Sequence, residues 1–150
     1  MKPTDRLARA ALVCLAVTAH CLAAAASVDQ AILECSDAGS TIEIHQCAAA
    51  VNDAEDDRMS GEFLTLLSVL ERAEDLHAER PSSDELVVSL RAAQRAWVEY
   101  RDRHCRDFID ALAMGGSIGT LDSLGCLALV NAERADRLKA VRMHYEELGY

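Results

Sequence analysis

The chain has 150 residues, a length typical of one domain, and its 25 Asp and Glu against 15 Lys and Arg give a formal net charge of −10. This acidic balance disfavours nucleic-acid binding, because phosphates are held by clustered Lys and Arg. It favours a cationic protein as partner, because opposite electrostatic fields speed the encounter of two molecules.

The first 26 residues follow the pattern of a secretory signal peptide. Residues 1–9 carry three basic residues and one acid, and the apolar run "AALVCLAVTAHCLAAAA" then ends in small residues. This run is short for a membrane span, which needs about 20 apolar residues. We therefore predict cleavage after Ala26. The mature domain, residues 27–150, would then have no stable membrane span and a formal charge of −12, because three bases and one acid are removed.

A lipid anchor is disfavoured as well. Cys14 and Cys21 both lie in the signal region, but Val13 and His20 precede them, where a lipidation site has a small residue. The predicted location is therefore the periplasm or the medium outside the cell.

The mature chain keeps four cysteines, and an even number in a small exported protein indicates disulfides. Their spacings of 12, 58 and 21 residues contain no Cys-x-x-Cys pair, which disfavours a zinc site. Four cysteines allow three pairings. The pairs closest along the chain, Cys35–Cys47 with Cys105–Cys126, are preferred, and Cys47–Cys105 with Cys35–Cys126 stays open.

The first predicted helix follows a lead-in at residues 27–39. Ser40 and Glu43 have the spacing of a capping box, which starts a helix. The helix is expected to end near residues 77–80, because Pro81 disfavours helix in the residue before it. Steps of three and four mark its buried face. That face is predicted to contain Ala48, Met59, Phe63, Leu66, Leu70 and Ala73.

Two further helices are predicted. Ser82 and Glu85 repeat the capping-box spacing at the start of the second helix, and the glycines of "GGSIG", residues 115–119, end it. The third helix is expected to begin near Asp122, a good N-cap residue. One side of the second helix, predicted to face the core, contains Leu86, Leu90, Ala93, Trp97, Tyr100, His104, Phe108 and Ala111. The apolar stripe of the third includes Leu127, Val130, Leu138, Val141 and Tyr145.

Short connections make consecutive helices antiparallel neighbours. The first helix then runs up, the second down and the third up, and all four cysteines fall at one end. The sequence therefore predicts an all-α fold: a small antiparallel three-helix bundle with two disulfides at one pole, which we call the sulfur pole.

Two charged residues interrupt the apolar stripes, Asp56 in the first helix and Arg134 in the third. Counted from the cysteines, both lie at a height similar to that of Trp97 in the second helix, at about 1.5 Å per residue. We infer that Asp56 pairs with Arg134 while Trp97 packs alongside, because a lone buried charge is costly. Arg101 is a second candidate partner for Asp56. Such a pair would fix the register of the helices or, alternatively, form a binding or catalytic site.

No catalytic motif accompanies this pair. The chain has no Gly-x-Ser-x-Gly, no His-Glu-x-x-His and no phosphate-binding loop, and its His residues lack metal-ligand spacing. We expect neither an enzyme nor a metal or cofactor site. Charge and exposure instead favour two places for contact with a partner: the acidic run Asp53, Glu55 and Asp57, and the Gly-rich loop near Ser117.

The order of these motifs resembles the LprI-type lysozyme-inhibitor N-terminal domain of small exported bacterial proteins. The likeness runs from about Cys35 to Leu138, and the first helix departs from it by lacking the family's usual Asn and Tyr. The positions that carry it are Ala93, Gln94, Arg95, Ala96, Trp97, Arg101, Asp102, Cys105, Gly115, Gly116, Ser117, Cys126, Arg134 and Leu138. The resemblance implies a helical, exported protein that inhibits lysozyme.

Two hypotheses about function follow, with an enzyme acting through Asp56 and Arg134 ranked third. In the first, the protein occludes a cationic lysozyme through its acidic, disulfide-braced surface. In the second, it is an adaptor or structural module of the cell envelope that has another partner and does not inhibit lysozyme.

Overall fold

The computed structural model describes residues 27–72 and 82–147, which contain four main helices and no strand. The helices are α1 (residues 27–35), α2 (Thr41–Arg72), α3 (Ser83–Asp102) and α4 (Gly116–Glu147). Helix α3 continues as a π-helical segment, Arg103–Ile109, and a last short helix, Asp110–Leu112. The predicted signal peptide and the predicted end of the first helix lie outside the described residues. The all-α bundle is confirmed.

A complete capping box starts α3, and the Ser40–Glu43 pair caps α2 with half of the same pattern. The Glu43 backbone N–H donates to Ser40 Oγ at 3.3 Å, and that hydroxyl donates to Glu43 Oε2 at 2.8 Å. At α3, the Ser82 backbone N–H donates to Glu85 Oε2 at 2.9 Å, and the Glu85 backbone N–H donates to Ser82 Oγ at 3.3 Å. These bonds satisfy N–H groups that the first turn of a helix leaves without a partner.

Helix α4 begins at Gly116, so the predicted start near Asp122 is wrong. The chain reverses in a shorter turn than "GGSIG" indicated, because three consecutive residues, Met114, Gly115 and Gly116, all have positive φ. The Gly115 backbone N–H donates to the Asp110 carbonyl at 2.9 Å and closes the preceding helix. Of this motif only Gly115 lies between the helices, and Gly116, which also has positive φ, is the first residue of α4.

The lead-in at residues 27–39 also differs from the expectation, because most of it is helix α1. Val28, Ile32 and Cys35 recur at steps of four and three and form a short helical stripe. Val28 and Cys35 are buried, and Val28 packs with Ala128 and Ala132 of α4. Burial of this stripe stabilises a helix too short to persist alone.

The main core lies between α2 and α4. Met59, Leu66 and Leu70 of α2 pack against Ala135 and Leu138 of α4. Helix α3 adds side chains that are only partly buried, and these are Leu86, Val87, Leu90 and Trp97.

Four residues predicted to face the core on α3 and its continuation are instead on the surface: Ala93 and Ala111 are exposed, and Tyr100 and Phe108 are more than half exposed. The inward stripe near the end of the helix lies one residue later, at Arg101 and Cys105. Cys105 is fully buried because it is bonded to α4. Tyr100, His104 and Phe108 form an outer row of stacked rings, with centroids 5.5 Å and 6.0 Å apart.

Candidate functional site

Both disulfides join helices at the sulfur pole, where α2 begins, α3 ends and α4 begins. Cys35 is bonded to Cys47 and Cys105 to Cys126, each with Cα atoms 5.5 Å apart. The preferred pairing is confirmed. Cys35 and Cys105 are buried, so the bonds brace the pole from inside.

Asp56 is paired with Arg101, and the inferred pair with Arg134 is therefore wrong in its partner. Arg101 Nη1 lies 2.8 Å from Asp56 Oδ1 and donates at 3.1 Å to Asn131 Oδ1, and Arg101 also pairs with Asp102 at 2.9 Å. The Arg101 side chain is 12% exposed, against 44% for Asp56. The guanidinium is therefore the buried member of the pair, and the carboxylate reaches solvent.

Arg134 binds a neutral partner instead. Its Nε and Nη2 donate to Gln94 Oε1 at 3.0 Å and 2.9 Å, and Gln94 Nε2 lies 3.0 Å from the Met59 sulfur. Among the described residues no carboxylate lies within ion-pair distance of Arg134. Burial lowers the pKa of Arg134, and the charge of Arg137 lowers it further. Because Asp56 already forms an ion pair with Arg101, the buried Gln94 amide is the acceptor for Arg134.

Trp97 packs beside both arginines, as its predicted height in the bundle indicates. The Arg101 and Arg134 guanidinium carbons lie 5.3 Å and 5.6 Å from the centre of its ring, within the range of cation–π attraction. Asn131, only 1% exposed, donates to Asn52 Oδ1 at 3.2 Å and completes a network across α2, α3 and α4.

The amides and guanidinium groups of this network are poorly suited to catalysis. Guanidinium groups do not exchange protons near neutral pH, and amides are poor nucleophiles. Asn52 and Asn131 were not singled out from the sequence, and Gln94 was named only as a position that carries the family resemblance. Asn131 carries a signal that could have found it, because it lies three residues after Ala128 and four before Ala135 on a stripe of buried small residues.

The acidic run on α2 is divided between two environments. Asp53 and Asp57 are exposed. Glu55 instead accepts a 2.7 Å ion pair from Arg58, which also bonds Asp136 of α4 at 2.7 Å. Glu55 therefore belongs to a partly buried bridge between the helices, and Asp53 and Asp57 are the carboxylates open to a partner.

Ser117 of the predicted Gly-rich loop lies in the first turn of α4 and contacts α2 at the sulfur pole. His45 Nε2 lies 2.8 Å from the backbone oxygen of Ser117, and the Ser117 residue itself is exposed. Ser117, at the height of His45, lies roughly 12 Å along α2 from Asp53, because eight residues separate His45 from Asp53 at 1.5 Å per residue. The two candidate contact regions are thus distinct parts of one surface.

Within residues 27–72 and 82–147, no three His, Cys, Asp or Glu are grouped closely enough to hold a metal ion. The same residues contain no helix long and apolar enough to cross a membrane.

Comparison with known proteins gives a family. Residues 34–138 match the model of the family described as Lysozyme inhibitor LprI, a span that includes both disulfides. A protein of Rhizobium meliloti (strain 1021), named Uncharacterized protein R02472, is 29% identical over 123 residues, which cover 79% of this chain and 86% of the relative. No solved structure matches the chain significantly. The match over most of the chain shows that this protein belongs to the LprI lysozyme inhibitor family.

Proposed function

We propose that this protein is exported and inhibits a cationic lysozyme by occluding its substrate cleft. The observation that carries the proposal is the charge distribution. Residues 27–57 contain eight Asp and Glu and no Lys or Arg, and residues 107–133 contain four and again none. These stretches form α1, the first half of α2, the end of the continuation of α3 and the first half of α4, which meet at the disulfide-bonded end of the bundle.

This half of the molecule suits a cationic partner in two ways. Its negative field speeds the encounter with a positively charged enzyme. Its disulfides hold the surface in one conformation, so little freedom is lost when the complex forms. Inhibition by occlusion needs no catalytic group, and it agrees with the proposed absence of enzyme activity.

The test is a lysozyme assay with the oxidised protein, exported from the full chain and recovered from the periplasm, where intact mass checks for cleavage after Ala26. Clearing of a peptidoglycan suspension is followed for several lysozyme classes at about 20 mM and about 300 mM salt, because exposed charges are screened at the higher value. Inhibition at micromolar protein that weakens with salt is expected.

A charge variant and a matched control make this test specific. Asp53→Asn with Asp57→Asn removes two exposed charges from the acidic half, whereas Asp84→Asn with Glu147→Gln removes two exposed charges from the opposite end. The first pair should weaken inhibition severalfold, and the second should not. A wild-type protein that inhibits no lysozyme class refutes the proposal, and capture of a different envelope protein would then favour the adaptor hypothesis.

A further inference from the structure

An apolar protrusion occupies the tip of the sulfur pole. We call residues 112–118 the apolar loop; they comprise the turn at residues 113–115 and the helix ends on either side of it. It exposes Leu112 by 68%, Met114 by 94% and Ile118 by 70%. Large apolar side chains exposed together in this way indicate an interaction surface more often than isolated ones do.

Met114 is unusual in its backbone as well as in its exposure. Its φ of 61° lies in the left-handed region, where glycine and asparagine are common and a long side chain is rare. A strained residue is retained when something else requires it, and such residues cluster at functional sites. Burial does not require Met114, because its side chain is almost wholly exposed. Its place at the tip is therefore better explained by contact with a partner.

The apolar loop is held firmly at both ends. The Cys105–Cys126 disulfide joins the helices that flank it, and His45 Nε2 lies 2.8 Å from the Ser117 carbonyl oxygen. Gly119 packs against Asp110 so closely that an added Cβ would lie 2.5 Å from a carboxylate oxygen. A protrusion fixed in this way binds without a large entropy loss.

Negative charge surrounds the apolar loop. No Lys or Arg occurs between Asp107 and Glu133, and Asp37 and Glu43 lie in the neighbouring turn and first turn of α2. The nearest arginines on α3, Arg103 and Arg106, each have an ion-pair partner on the same helix. A partner that fits therefore has a concave, partly apolar floor and a positively charged rim. A second copy of this chain fits poorly, because two acidic poles repel each other.

We propose that the apolar loop inserts Met114 into the cleft of a cationic partner enzyme, while the acidic residues around the loop contact the positive rim of that cleft. This inference rests on the proposed function, for which the partner is a lysozyme. It places the centre of the interface at the loop and makes Asp53 and Asp57 a peripheral part.

Met114→Asn tests the insertion without disturbing the fold. Asparagine tolerates positive φ, so the variant should unfold at the same or a higher urea concentration than wild type. Inhibition should nevertheless weaken at least tenfold, because the variant removes the apolar anchor. The matched control is Leu64→Gln, which replaces an equally apolar side chain, 63% exposed on α2 far from the loop, and should inhibit like wild type.

The outcomes separate this inference from the proposed function. If wild type inhibits a lysozyme and Met114→Asn inhibits equally well, the insertion is overturned and the proposed function stands. If wild type inhibits no lysozyme, both are overturned. Sedimentation of wild type as a dimer that Met114→Asn dissociates would show that a second copy covers the loop, which also overturns the inference.

Discussion

Arg101→Met is the substitution expected to destabilise the bundle most through its polar layer. Arg101 is the most buried charge of that layer, with its side chain 12% exposed, and it donates to the buried Asn131 while pairing with Asp56 and Asp102. Methionine keeps part of the packing of the arginine stem and removes every one of these donors. Because the layer joins three helices, the loss should appear in global unfolding.

The size of the destabilisation follows from what each partner of Arg101 loses when the guanidinium is removed. Asn131 Oδ1 would lose its donor inside the protein, which costs about 1–3 kcal/mol. The carboxylates of Asp56 and Asp102 are 44% and 42% exposed, so water replaces the cation and each pair contributes less than about 1 kcal/mol. Contact with Trp97 adds about 0.5–1 kcal/mol. The expected loss is about 2–4 kcal/mol, which a typical domain survives.

Urea unfolding of the oxidised protein measures this loss, and Arg103→Met is the matched control. Arg103 is on the same helix two residues later, is 74% exposed and pairs with Glu99 across one helical turn. Removing such a pair changes stability by about 0.5 kcal/mol or less. If the two variants unfold at the same urea concentration, the buried position of Arg101 contributes nothing beyond a surface ion pair, and the reasoning fails.

Two further predictions concern the connection between α3 and α4. Gly119→Ala should destabilise by about 1–3 kcal/mol, because its Cβ would lie 3.2 Å from the Asp110 carbonyl oxygen and closer still to the carboxylate. Gly61→Ala is the contrasting variant: its Cβ would meet nothing within 4 Å, so it should stabilise α2 by about 0.5–1 kcal/mol. If the urea midpoints of Gly119→Ala and Gly61→Ala shift in the same direction, this contrast is wrong. Replacing both Cys105 and Cys126 by Ala should lower the free energy of unfolding by about 3 kcal/mol, the loop-entropy value for a separation of 21 residues. An unchanged urea midpoint would refute that estimate.

Features set by local sequence could be predicted. Both capping-box spacings are local patterns of four residues, and both begin helices in the structure. Helix order predicted that the four cysteines meet at one pole, and the preference for the cysteines closest along the chain then selected the observed pairing. In each case the deciding interaction is short in sequence or is fixed by the direction of a helix.

Features set by side-chain reach could not be predicted. Asp56 and Arg134 lie at similar heights, but height does not tell which of two arginines turns toward the acid, and Arg101 does so. The exposure and backbone conformation of Met114 could not be predicted for another reason. The neighbouring glycines indicate a turn, but the positive φ of Met114 itself depends on how the turn closes onto Asp110.

The polar layer and the apolar loop are connected through the π-helical segment of α3. In an α-helix with 3.6 residues per turn, positions four apart drift steadily around the axis, and the wider π turn offsets that drift. Arg101 and Cys105, four apart, therefore both face inward, one to the polar layer and the other to Cys126 of α4. The segment is followed by the short helix Asp110–Leu112, which leads into the apolar loop. Residues that identify the family, from Gln94 to Cys105, therefore lie in the element that leads into the apolar loop and are not part of that loop.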